Sequence, residues 1–153
     1  MDSLPLEKAY YWLDLKNLEK KNVHIIRDSL SALLDRYNAT NRFFVESANG
    51  WQLRKLDKAG IRTLYWVQYN RRFPLKQLKM AYIHFTIMLS NFDGITTAYY
   101  LYDKDFQRNF KNFPVFVWYI NDADKIRQLL YMEPVNVVLT NTNLFYLNRG
   151  VEK

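Results

Sequence analysis

The chain of 153 residues has no cysteine, which excludes disulfides, thiolate zinc sites, iron–sulfur clusters and thiol nucleophiles together. Histidine is almost as scarce. His24 and His84 each stand alone, so the histidine-rich metal cluster of a nicking-type nuclease cannot be assembled, and both read as structural. The four glycines, at 50, 60, 94 and 150, are isolated turn residues, and no glycine-rich phosphate loop exists. Long apolar runs are missing too. The strongest, residues 80–89, is interrupted by His84, whereas about 20 residues are needed to cross a bilayer. The N-terminus lacks both a basic region and an apolar core, so no secretory signal is expected. These absences predict a cytoplasmic protein with no membrane partner. There is no internal repeat and no low-complexity segment.

What is present is apolar and basic. Apolar residues make up 49% of the chain and aromatic residues 17%, outside the composition of disordered proteins and enough for a buried core. The net charge of +7 is local. Residues 51–79 contain Arg54, Lys55, Lys58, Arg62, Arg71, Arg72, Lys76 and Lys79 against Asp57 alone, while the flanking segments are balanced. Concentrated positive charge attracts polyanions far better than the same charge spread thinly. It also protects exposed sheet edges and aids solubility.

Apolar spacing predicts a helix over residues 5–20 and another over 23–38, ended by Asn38 and Asn41. A strand follows at 42–47, and Asn49-Gly50 reads as a tight hairpin turn into a strand at 51–56. Asp57-Lys58-Ala59-Gly60 turns the chain again into a strand at 61–69. Residues 75–91 are apolar on nearly all sides and predict a central buried helix. Beyond it come strands at 95–102, 115–120, 135–140 and 144–147, with a helix at 123–132 capped by Asn121-Asp122. The fold class expected is α+β: two N-terminal helices, a basic three-stranded antiparallel meander and a small mixed sheet. A helical and β-meander module over 1–72 and a small α/β part over 73–150 are expected to form one unit.

No catalytic constellation is visible. Asp103 and Asp105 flank Lys104, and Asp122 and Asp124 precede Lys125. A restriction-type metal site would need an acid at one strand end and an Asp/Glu-x-Lys triplet on the next strand. No such triplet falls on a predicted strand after residue 42, and Asp122 and Asp124 are better explained as helix-cap charges. No catalytic residue, cofactor or metal ligand is therefore assigned.

Two helices followed by an Asn-Gly hairpin with basic strands follow the order of a winged-helix domain. In that arrangement Arg27 and Arg36, with Ser31, would face the major groove. Asn49, Arg54, Lys55, Lys58, Arg62, Arg71, Arg72, Lys76 and Lys79 would lie along phosphates. Trp51, Tyr65, Trp66 and Tyr69 offer stacking platforms for single strands, or core. The segments NRFFVES, KMAYIHFTIML and VFVWYINDADKIRQLLYMEPVNVVL, with Asn49-Gly50 between the first two, give a layout that resembles replication-relaxation-type proteins of mobile elements. That resemblance implies a DNA-associated accessory protein of a plasmid, phage or virus. The expected function is non-catalytic nucleic-acid binding, DNA favoured, with a homodimer if the site is palindromic. The alternative is an interaction module docking on an acidic protein.

Overall fold

A computed structural model describes residues 10–69, 75–131 and 135–140. Strands and helices alternate along the chain, which divides into two compact units, Met1–Asp93 and Gly94–Lys153. The first unit contains β1 (Tyr11–Asp14), α1 (Val23–Tyr37), β2 (Phe43–Ser47), α2 (Gly50–Asp57), β3 (Thr63–Trp66) and α3 (Leu75–Met88). β1 pairs with β2 and β2 with β3, both parallel, placing Asp14 beside Glu46 and Glu46 beside Leu64. Parallel neighbours cannot be joined by a tight turn. The helices α1 and α2 provide the crossovers.

This overturns the α+β meander. The hydrophobic face of α1 was legible, since Val23, Leu30 and Leu34 are buried at helical spacing and Asn38 ends the helix in the left-handed conformation at φ 47°. The hairpin was not. Asn49 is the N-cap of α2, its side-chain oxygen accepting from the Gln52 N–H at 3.3 Å while its amide donates to the Leu18 carbonyl at 2.9 Å. The segment expected as a second strand is therefore a helix with Leu53 and Leu56 buried. Gly60, at φ 79°, closes it, with the Gly60 and Ile61 N–H groups donating to Asp57 and Leu56. Replacing Asn49 by alanine removes both side-chain bonds, and urea unfolding should show a loss of about 1–2 kcal/mol.

The first expected helix is also corrected where it can be seen. Residues 11–14 form β1, because Tyr10 and Tyr11 pack across the ladder on Phe44 and Phe43, with ring centroids 6.3 and 6.0 Å apart. Such cross-strand aromatic pairs outweigh a weak helical spacing. The part of that helix before residue 10 lies outside the described residues.

Tyr65 anchors the core of this unit. It is fully buried, meets Phe92 at a ring distance of 5.4 Å, and its hydroxyl is hydrogen-bonded with Thr86. Burial pushes the phenol's pKa well above its usual value. An unfolded tyrosine ionises near pH ~10, so the folded state's advantage is complete below that pH and is lost as pH rises above it. Tyr65→Phe should cost about 1 kcal/mol at neutral pH for the lost hydrogen bond. Denaturant titrations at increasing pH should then show a shallower alkaline loss of stability than in the parent.

The second unit contains β4 (Gly94–Ala98), α4 (Lys104–Phe110), β5 (Val115–Trp118), α5 (Ala123–Leu130) and β6 (Val135–Leu139). Its three strands are again parallel, in the order β4-β5-β6, with an irregular register at Val115/Phe116. The helix α4 lies between the strands expected at 95–102 and 115–120, where no helix is expected; Phe106 and Phe110, four residues apart and buried, hold it down. The strand expected at 144–147 falls outside the described residues.

Candidate functional site

In parallel α/β sheets the carboxyl ends of the strands are where ligands bind, because the strand-to-helix connections there are free to vary. In the first unit this edge carries Asp14 at the end of β1, Lys16 just beyond, Glu46 near the end of β2 and Trp66 at the end of β3. The Lys16 ammonium lies 2.7 Å from an Asp14 carboxylate oxygen and 5.1 Å from the centre of the Trp66 ring. Glu46 is buried, yet its carboxylate accepts from the Trp12 indole N–H at 2.5 Å. The hydrogen bond and charge of Asp14 raise the Lys16 pKa above its ordinary range, and Glu46 adds to this.

Backbone contacts fix the edge. Leu15, between Asp14 and Lys16, donates its N–H to the Glu46 carbonyl at 2.8 Å and accepts from the buried Ser47 hydroxyl at 2.9 Å. With Leu15 tied on both sides, Asp14 and Lys16 are presented in a set geometry while remaining exposed. Asp14 and Glu46 are register partners, about 4.8 Å apart along the ladder direction. They could give two carboxylate oxygens to one hard cation. Among the described residues no group of three or more metal-ligating side chains occurs, so the remaining ligands of such a cation would be water or substrate oxygen.

Asp14-Leu15-Lys16 is an Asp-x-Lys triplet on a strand end, with an acid on the neighbouring strand. It was hidden because residues 5–20 read as a helix. Alternation over Tyr11, Trp12, Leu13 and Asp14 was the signal that could have found it.

The basic residues expected to meet nucleic acid do not form a wing. Arg27 pairs with its neighbour Asp28 at 2.7 Å on α1, and Arg36 lies 5.6 Å from the Tyr37 ring at the end of that helix. Arg54 donates to the Leu89 carbonyl at 2.5 Å, closing the end of α3, and lies 5.5 Å from the Trp51 ring. Arg62 is held by Asp93 at 2.8 Å and by the Asn41 carbonyl at 2.9 Å, above the Phe44 ring at 4.1 Å. Asp93 also accepts from the Thr63 N–H at 2.8 Å. Lys55 and Lys58 belong to α2 and its end, and Lys76 and Lys79 to α3. Arg71 and Arg72 lie outside the described residues. Asn49 is committed as a helix cap.

Two carboxylates of the second unit, Asp103 and Asp122, are caps as well. Asp103 accepts from the Phe106 N–H at 2.8 Å, and Asp122 from the Asp124 and Lys125 N–H groups at 3.0 and 3.1 Å. The Lys125 bond is the main reason the Asp122 pKa is lowered.

These features define a class: an α/β protein of parallel strands and crossover helices with a polar cluster at a carboxyl edge. The sequence matches no protein-family model and no curated protein. The solved structures similar in fold include two of about twice this length. One is a candidate glycerophosphoryl diester phosphodiesterase from Silicibacter pomeroyi, at TM-score 0.64 and 15% identity, covering 87% of this chain and 47% of that one. The other is a candidate glycerophosphodiester phosphodiesterase from Galdieria sulphuraria, at TM-score 0.65 and 16% identity, covering 92% and 56%. The chain thus spans about half the length of each. The likeness corrects the winged-helix, replication-relaxation reading, and the mobile-element or phage origin loses the resemblance it rested on. Non-catalytic DNA binding was expected from a winged-helix layout, and the chain folds as parallel α/β units instead; the fold likeness does not support the acidic-protein docking alternative either.

Proposed function

We propose that the chain handles a small phosphodiester at the carboxyl edge of β1–β3, in the manner of a phosphodiesterase. The observation that carries this is the meeting of Asp14, Lys16, Glu46 and Trp66 at that edge, on a fold similar to two candidate glycerophosphodiester phosphodiesterases. Lys16 is charged throughout the physiological range and stands where it can neutralise a phosphoryl oxygen. The indole of Trp66 gives it an aromatic wall, and Asp14 orients it. Hydrolysis adds water to phosphorus, breaks the bond to one ester oxygen and releases an alcohol that takes up a proton. The exposed Asp14 carboxylate is placed to accept the proton lost by that water.

A second reading, binding without turnover, is favoured by the position of the two histidines. His24 and His84 are exposed on α1 and α3, and neither is among the side chains that meet Lys16, which are Asp14 and Trp66. The test is calorimetric titration with glycerophosphocholine, together with an assay for release of one alcohol, choline with glycerol phosphate or glycerol with phosphocholine, in the presence of magnesium or calcium. Binding with release supports hydrolysis, and binding alone selects the second reading. Absence of both, with the protein folded, removes the proposal.

A further inference from the structure

Helix α3 carries two apolar faces, and only one is used. Met80, Ile83, Thr86 and Ile87 are buried against the first unit. At 100° per residue these span about 120° of the helix. Leu75, Leu78, Tyr82, Phe85 and Met88 occupy the opposite arc of about 140°, and each is between 44% and 71% exposed. An apolar arc of that width is what a helix normally turns toward a core. Here it faces outward, and contiguous exposed apolar surface of this kind marks an interaction site.

The charges on the helix that carries this face are basic: Leu75–Met88 contains Lys76 and Lys79 and no aspartate or glutamate. The Lys79 ammonium lies 5.2 Å from the centre of the Tyr82 ring, bordering the arc where a long side chain can keep its charge at a polar boundary. Among the described residues no helix is long and apolar enough to cross a membrane. The helix of 14 residues is suited instead to lying in an interface. Its arc can enter the acyl boundary while cations meet headgroups.

We infer that the outward face of α3 binds the surface of an anionic phospholipid bilayer. Nucleic acid fits less well, since its interfaces are polar and cation-rich rather than built on five large apolar side chains. A second copy of the chain would bring two basic rims together, which opposes a symmetric contact. The inference does not depend on the phosphodiester reading. Vesicle binding without hydrolysis would leave it standing, and hydrolysis without vesicle binding would end it alone.

The experiment is flotation of the full chain with vesicles of equal parts phosphatidylglycerol and phosphatidylcholine, compared with phosphatidylcholine alone, at low and high salt. Binding should require the anionic lipid and weaken with salt. Lys79→Gln should lower the partition coefficient about fivefold, and Leu78→Ser with Phe85→Ser by at least about tenfold. Both apolar positions are solvent-exposed, so helicity by circular dichroism should stay at the parent level. Should that pair nevertheless unfold, Phe85→Trp reads insertion as the blue-shifted emission, quenched by brominated lipid, that it adds over the parent with its four tryptophans. No binding to the anionic vesicles at low salt overturns the inference. So does binding that ignores the apolar substitutions, or a dimer in sedimentation that Phe85→Ser dissociates, or capture of duplex DNA in place of vesicles.

Discussion

Replacing Gly50 by alanine is expected to lower the unfolding free energy by about 2–3 kcal/mol. A Cβ built at this position would lie 2.7 Å from the Thr86 methyl carbon and 2.7 and 2.8 Å from two carbons of the Tyr65 ring. Alanine is otherwise the better helix former, by about 1 kcal/mol, and Gly50 is the first residue of α2. Propensity alone therefore predicts a gain. Packing decides the sign, because Tyr65 is among the most buried side chains and also packs on Phe92, and a dense core cannot give way without moving its neighbours. Urea unfolding of the parent and Gly50→Ala proteins distinguishes the two. An equal or higher midpoint would show that α2 can shift away from β3 at little cost.

The second large effect is expected at Lys16. Lys16→Met keeps much of the side-chain stem while removing the ammonium from Asp14 and the Trp66 ring. Loss of one charged group aimed at a developing phosphoryl charge reduces turnover by about a hundredfold or more. The Lys16 ion pair is exposed, so the melting temperature should hardly change. Calorimetry should show weakened glycerophosphocholine binding as well. If affinity and turnover both survive Lys16→Met, the carboxyl edge of β1–β3 is not the site. Lys16→Arg separates charge from shape, because a guanidinium keeps the charge and changes the donor geometry.

The sequence resolved the elements whose signals are local. The stripe through Leu30 and Leu34 marked α1, and Asp122 marked the start of α5. Val115–Trp118 read as a strand because β-branched and aromatic residues fit a pleated surface. Direction of pairing is a different matter. Asn49-Gly50 is compatible with a hairpin turn and with a helix cap, and the choice is made by Leu18, Tyr65 and Thr86, which are distant in the chain. Once that one junction was read as a turn, every neighbouring strand became antiparallel. The candidate site was lost in the same way, since Asp14-Leu15-Lys16 lies where Tyr10, Leu13 and Leu18 gave a helical spacing. The charge excess of residues 51–79 was correctly located in sequence. Its meaning was not, because Arg54 and Arg62 spend their donors inside the first unit.

The grip of Asp93 on Arg62 and Thr63 has a consequence for dissecting the chain. Asp93 also donates its own N–H to the Thr63 carbonyl at 2.9 Å, so one residue ties the beginning of β3 across a thirty-residue excursion through α3. A fragment that stops a few residues short of position 93 would keep every helix and strand of the first unit. It would still leave the Thr63 amide without its acceptor and the Arg62 guanidinium without its carboxylate partner, though with the Asn41 carbonyl, and it would release the far end of the excursion. The last residue that an excised first unit must contain is thus set by a carboxylate clasp rather than by the end of its final helix.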